Sequence, residues 1–296
     1  MDADAPRVSV LMLTYNQEAY LDEAIASVMA QKTTFPFELV IGNDASTDGT
    51  TAICNRWAAK FPRRIVVLHH AHNVGLAHNF LLTYARLRGE YVAICEGDDF
   101  WLSRHKLQRQ VAFLETHPRF VLCFHRVVNY YEADGSKSLS NGGQRRRELT
   151  LLDLARANVI TNVSALFRRS AVPVLPAWFA AVETYDYPLY MLAATRGDLY
   201  YMSRPMAVYR QRAGAIWSRA QGERKRALSL RVRRQLIAHF APTHPQVCEL
   251  LEAACQAIER NYDSAYAGGA VRTRTKQFIK RLRGWLSRSI PLRRIG

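Results

Sequence analysis

The sequence predicts an α/β fold, with a mostly parallel central sheet flanked by helices and followed by a helical, basic C-terminal extension. Three observations carry this. Short β-branched apolar runs alternate with amphipathic stretches through the first half. The segments that close those runs are rich in Asn, Asp, His or Tyr. Beyond about residue 217 the strand signals stop and cations accumulate.

The predicted order is Val8–Thr14, then a helix over Glu18–Ala30; Phe37–Asn43, then Gly49–Phe61; Ile65–His69, then Gly75–Arg88; and Tyr91–Cys95, then Arg104–Glu115. Each run is apolar on nearly every residue, as a strand buried on both faces must be, and each helical stretch is the crossover that a parallel pair requires. Val121–Val128 reads as a further strand, and Glu132–Glu148 as a mobile surface loop. Thr161–Arg168, a helix beginning near Asp186, and strands around Leu199–Met202 and Ala207–Tyr209 complete the domain. The expected division is residues 1–217 for the α/β domain and 218–296 for the helical extension, with no Pro/Gly linker between them.

At 296 residues and 49% hydrophobic, the chain supports one substantial core plus an appendage. No apolar run approaches the roughly 20 residues that span a bilayer, and the N-terminus is acidic, so a cytoplasmic protein is expected. Five cysteines without a Cys-x-x-Cys pair read as reduced core residues. The net charge of +16 calls for a polyanionic partner: nucleic acid, anionic lipid or nucleotide phosphate.

In open α/β sheets ligands sit at the carboxyl ends of the strands, which selects Tyr15–Gln17, Asp44–Asp48, His70–Val74 and Glu96–Phe100. Glu96-Gly97-Asp98-Asp99 places three carboxylates in four residues, an arrangement that a hard cation such as Mg²⁺ or Mn²⁺ relieves; a turn with a helix cap is the plainer alternative. Asp44 could accept a base imide or a ribose hydroxyl, and Tyr15 could stack on a base. Asp48 and Ser46 read first as helix caps.

Four ordered segments carry a resemblance. Val8-Ser9-Val10-Leu11-Met12-Leu13-Thr14-Tyr15-Asn16, Asn43-Asp44-Ala45-Ser46-Thr47-Asp48-Gly49-Thr50, Asn73-Val74-Gly75 and Glu96-Gly97-Asp98-Asp99-Phe100-Trp101 resemble the family 2 glycosyltransferases over roughly residues 7–217. The resemblance implies a GT-A fold, inverting transfer from a nucleotide sugar, and work on bacterial cell-surface polysaccharide. It further implies that Asp44, Tyr15, Thr14, Asn16, Asn73 and Gly75 hold the nucleotide, that Asp98 and Glu96 serve an Mg²⁺ or Mn²⁺ ion, and that Asp99 serves the sugar or the following helix. Asp186 resembles the family's catalytic base, with Glu183 as its rival. Arg210, Arg212 and Trp217 resemble a loop that closes over the donor diphosphate, although Arg212 stands where relatives often carry His. A UDP-sugar is the preferred donor, and a saccharide or a lipid-linked sugar the acceptor.

After Asp263 no acidic residue follows, while Phe278, Ile279, Leu282, Trp285 and Leu286 recur at helical spacing among cations. Residues 271–296 therefore read as a helix for an anionic membrane surface on the inner face of the cell membrane, with docking on the protein's own core as the alternative. Two further classes remain on sequence alone. One is a basic nucleic-acid-binding protein, disfavoured because the ligand loops carry carboxylates; the other is a non-catalytic nucleotide-sugar scaffold.

Overall fold

The computed structural model describes residues 5–141, 146–212 and 222–267; Trp217 and the basic segment 271–296 lie outside them. The strands are β1 (Val8–Thr14), β2 (Phe37–Asn43), β3 (Ile65–His69), β4 (Tyr91–Ile94), β5 (Phe100–Trp101), β6 (Phe120–Tyr131), β7 (Lys137–Leu139), β8 (Glu148–Leu149), β9 (Leu166–Arg168) and β10 (Asp198–Gln211). The helices are α1 (Leu21–Met29), α2 (Thr50–Lys60), α3 (Leu76–Tyr84), α4 (Lys106–Thr116), α5 (Leu151–Arg156), α6 (Asp186–Ala194), α7 (Gly222–Phe240) and α8 (Pro245–Ala267).

The sheet order is β3-β2-β1-β4-β9-β6-β10-β5. β3, β2, β1 and β4 are parallel, as predicted. β9 then inserts antiparallel between β4 and β6, β10 returns parallel to β6, and β5 closes the edge antiparallel. The sheet is thus parallel in its first half and mixed in its second. Residues of β1 alternate between two cores, Leu11 and Leu13 on one face, Val10 and Met12 on the other. The period of two in side-chain direction turns one continuous apolar run into the centre of both layers.

Several expectations need correction. The segment read as a mobile loop turns at Asp134 and Gly135 (φ +67°) so that β7 pairs β6, and β8 farther on pairs β10. The strand expected over Thr161–Arg168 shrinks to Leu166–Arg168, since Asn162–Ser164 coils into a tight helical turn. The two strands expected near 199–209 are one, β10, with a register shift between Met202 and Ala207.

The described residues up to Gln256 form one compact unit, and those from Ala257 on fall to a second. Leu228, Val232, Leu236 and Phe240 repeat every fourth residue on α7, and a stripe of that spacing buries against a core. Val232, Leu236 and Phe240 share that core with Phe179, Tyr185 and Tyr187.

Candidate active site

Strand order reverses at β1: the chain steps outward through β2 and β3, then crosses back to place β4 on the other side. The loops after β1 and β4 therefore part at their carboxyl ends, and a cavity of about 630 Å³ opens there. Thr14, Tyr15, Asp44, Asn73 and Gly75 line a first wall from the loops after β1, β2 and β3; Glu96, Asp98 and Asp99 line it from the loop after β4, Asp186 from the start of α6, and Arg210 and Arg212 from the end of β10.

The first wall is self-braced. Asp44 is 4% exposed and accepts the backbone N–H groups of Val74 (2.7 Å) and Gly75 (3.0 Å) on its two oxygens. Gly75 sits at φ +81°, ψ 163°, a region essentially reserved for glycine. Asn73 Nδ2 donates to the Asp44 carbonyl at 3.3 Å. Asn16, in left-handed backbone at φ +50°, accepts Thr47 N–H at 2.8 Å and so ties the first loop to the second. It does not line the cavity. Tyr15 stands 46% exposed at the rim, where a planar ligand can stack on it. Asp48 accepts N–H groups from Glu18 (3.1 Å) and Thr50 (3.0 Å), but the N-cap of α2 is Gly49, without a side-chain cap, and Ser46 Oγ donates to Asn43 Oδ1 at 2.6 Å, so neither Asp48 nor Ser46 is the expected cap.

The acidic loop divides its carboxylates among three tasks. Glu96 accepts hydrogen bonds from Leu13 N–H (3.2 Å), Asn162 Nδ2 (2.9 Å) and the Tyr185 hydroxyl, and burial pushes its pKa up to about 8. Asp98 faces the cavity and accepts from Arg212 Nε on Oδ2 at 2.8 Å. Asp99, 2% exposed, accepts the Arg210 N–H at 2.8 Å, and burial raises its pKa well above the ordinary carboxylate value. Gly97 is required for closeness: a Cβ there would lie 2.3 Å from Gln17 Oε1 and 3.0 Å from Thr14 Oγ1.

Arg210 is locked by Glu23 (2.6 Å) and by the Asp98 carbonyl (3.0 Å), with its guanidinium over the rings of Tyr20 and Phe100. Asp186 is the first residue of α6 and makes no side-chain cap; burial raises its pKa, and the backbone N–H groups of Tyr187 and of Asp186 itself oppose that rise. Its rival Glu183 is exposed, pairs with Arg231 and does not line the cavity. Gln17, Asn162, Thr184 and Tyr185 also line the cavity; of these, only Gln17 belongs to a strand-end loop that the sequence selected.

Among the described residues no three His, Cys, Asp or Glu side chains are grouped to hold a metal. Glu96 has both oxygens engaged by hydrogen bonds, whereas Asp98 uses one among the described residues. A cation such as Mg²⁺, which takes one or two protein carboxylates and otherwise water and phosphate, fits Asp98.

Fold and cleft together define an α/β protein with a cavity at a topological switch point, lined by carboxylates and arginines. The chain belongs to glycosyl transferase family 2, which matches residues 9–175. An uncharacterized protein of Mycobacterium tuberculosis is 36% identical over 219 residues, covering 74% of this chain, and the chain spans 63% of that relative's length. A putative teichuronic acid biosynthesis glycosyltransferase, TuaG of Bacillus subtilis, is 35% identical over 37% of this chain and 42% of its own. Among solved structures, S. aureus TarS 1–349 in complex with UDP aligns at TM-score 0.64 and 17% identity, covering 95% of this chain and 78% of its own. Mannosyltransferase PcManGT from Pyrobaculum calidifontis, in complex with GDP-Man and Mn²⁺, aligns at 0.58 and 19% identity, covering 96% and 80%. The fold is therefore the GT-A fold that the sequence motifs implied.

Proposed function

We propose that the protein is an inverting glycosyltransferase that moves a sugar from a nucleotide-sugar donor, preferably a UDP-sugar, to a hydroxyl of a saccharide or lipid-linked acceptor in cell-surface polysaccharide synthesis. One observation carries this: Asp44 and Tyr15, Asp98 with Arg212, and Asp186 all line a single cavity, which supports one site for nucleoside, diphosphate and acceptor. The glycosyltransferase name of the B. subtilis protein, the mannosyltransferase name of the P. calidifontis protein and the UDP bound by S. aureus TarS support it.

The nucleoside stacks on Tyr15, and the polar edge made by Thr14, Asn73 and Gly75 meets its base and ribose. Asp44 holds that edge in shape through its two backbone contacts. Arg212 presents guanidinium donors to the diphosphate as negative charge gathers there, while Arg210, engaged by Asp99, Asp98 and Glu23, fixes the end of β10 that leads to it. Mg²⁺ or Mn²⁺ held by Asp98 would supply further neutralisation of that charge. Asp186 accepts the proton of the acceptor hydroxyl while that oxygen attacks the anomeric carbon from the face opposite the departing diphosphate, which inverts its configuration. The rise in the Asp186 pKa caused by burial moves it toward the range useful for a base.

No helix among the described residues is long and apolar enough to cross a membrane. The cation-rich sequence 271–296 supports attachment to an anionic membrane surface, which would bring a lipid-linked acceptor near the cleft.

The test is release of nucleoside diphosphate from UDP-glucose, UDP-galactose, UDP-N-acetylglucosamine and GDP-mannose with Mg²⁺ or Mn²⁺, by wild type, Asp98→Ala and Asp186→Asn. Turnover should fall at least 100-fold in both variants, in line with the loss of a general base or of diphosphate neutralisation. Undiminished turnover in both, or a product of retained anomeric configuration by NMR, would refute the reading.

A further inference from the structure

Asn162 sits where the donor side of the cavity meets the helix that carries Asp186. Its Nδ2 donates to Glu96 Oε1 at 2.9 Å and reaches the Tyr185 hydroxyl at 2.7 Å; its Oδ1 accepts from the Tyr190 hydroxyl. The Tyr185 hydroxyl in turn donates to the same Glu96 oxygen, and the other oxygen of Glu96 takes the Leu13 N–H at 3.2 Å. Leu13 immediately precedes Thr14 and Tyr15; Tyr185 immediately precedes Asp186, and Tyr190 lies one turn farther along α6. The Tyr185 ring is stacked on Phe80 at 4.2 Å, so its hydroxyl has little freedom to seek another partner.

We propose that Asn162 and Tyr185, acting through Glu96, are positioning residues that hold the start of α6 in register with the donor loop and so set where Asp186 stands relative to the reacting carbon. The proposal rests on the reading of Asp186 as the base. The physical reason is reach. The Asp186 carboxylate is met by backbone N–H groups of its own turn, those of Tyr187 and of Asp186 itself, so it stands wherever the start of α6 stands. Displacement of a catalytic group by about 1 Å can cost of order 100-fold in rate. The brace supplies that fixing from three separate parts of the chain, the β4 loop, the turn before β9 and α6. The same arrangement assigns Glu96 to orientation, with its oxygens committed to protein donors.

Mutant coupling tests it. Tyr185→Phe keeps the stacked ring and removes only the hydroxyl, and Asn162→Ser serves as a second, smaller cut. Each is made in the wild-type and the Asp186→Asn protein, with the nucleotide sugar of the panel above that is turned over fastest and with water as acceptor. UDP affinity is measured by calorimetry alongside. Each cut should lower turnover about tenfold in the wild type and less than about twofold once Asp186 is gone, with UDP affinity within about twofold throughout, because coupled residues are non-additive. Equal losses in both backgrounds, or no loss in the wild type for either cut, would overturn the proposal. An Asp186→Asn protein as active as wild type would instead sink the base assignment and the inference with it, and it is told apart because no Tyr185 variant enters that comparison.

Discussion

Arg212 Nε donates to Asp98 Oδ2 across 2.8 Å at the mouth of the cavity, with both side chains about five-sixths buried (16% and 15% exposed). The guanidinium also lies over the ring of Tyr20, 5.2 Å from its centroid. A carboxylate proposed to hold a divalent cation is thus already neutralised by a cation of the protein's own. On the proposed reading, a metal at Asp98 would compete with Arg212 for that carboxylate, and a bound diphosphate would draw the guanidinium away.

Arg212→Gln should therefore bind Mn²⁺ several-fold more tightly than wild type when no nucleotide is present, read by calorimetric titration. The same variant should lose roughly 10- to 100-fold in donor turnover, since a charge-assisted contact to the leaving group goes with it. Equal Mn²⁺ affinity in the two proteins would show that Asp98 is not where the ion sits.

Glu96 makes a prediction about pH. Burial raises its pKa from 4.5 to about 8, so the folded protein holds a proton there that the unfolded chain has already lost. The sign follows: the stability it contributes is full below about pH 4.5 and is lost as pH rises through about 8. Urea unfolding in EDTA should show wild type losing of order 2 kcal/mol across that window relative to Glu96→Gln, after discounting for the solvent that reaches the cavity wall. Parallel pH curves would mean that the carboxyl is ionised in the fold.

Much of this site was legible beforehand, and the reasons are specific. β1, β2 and β3 match their apolar runs to the residue; β1 and β2 are buried along their whole length and leave no alternation to misjudge, while β3, at the sheet edge and partly exposed, is an uninterrupted apolar run between Arg64 and His69. β5, β7 and β8 have two or three residues each, too few for any period to register, and are strands only through their partners. α5 did have a local signal. Thr150 and Asp153 form a reciprocal capping box at its start, and the Thr-x-x-Asp pattern could have marked it. Asp44, Glu96, Asp98 and Asp99 lie beside strand ends, where the sequence pointed, whereas Asp186 opens α6 and was singled out by the family resemblance alone. Tyr185 and Asn162 meet Glu96 from 89 and 66 residues away, and no spacing rule reaches that far.

Gly75 separates conformation from crowding. Nothing lies within 4 Å of a Cβ built there, yet its φ of +81° and ψ of 163° exclude other residues. Gly75→Ala should cost about 1–3 kcal/mol in urea unfolding. It should also weaken UDP binding by calorimetry, because the N–H that Gly75 donates to Asp44 at 3.0 Å moves with the backbone. An unchanged unfolding curve would place the constraint on this loop elsewhere.

Lys106 should behave in the opposite sense to Glu96. It is the first residue of α4 and fully buried; its Nζ has no hydrogen-bond partner and lies 4.2 Å from the centroid of the Trp101 ring. Burial lowers its pKa from 10.5 to about 7, while the neighbouring Cys95 and Cys123 pull slightly the other way. The unfolded chain binds a proton more tightly, so the penalty is absent above about pH 10.5, grows as pH falls through the window, and is complete below about 7. Replacing the amine by an apolar side chain of similar length removes an unsatisfied donor and leaves the shape intact. Lys106→Met should thus be more stable than wild type by about 1–3 kcal/mol at pH 6, with the difference shrinking as pH rises toward 10. A difference that does not vary with pH would mean that Lys106 stays charged in the fold, held there by the ring of Trp101.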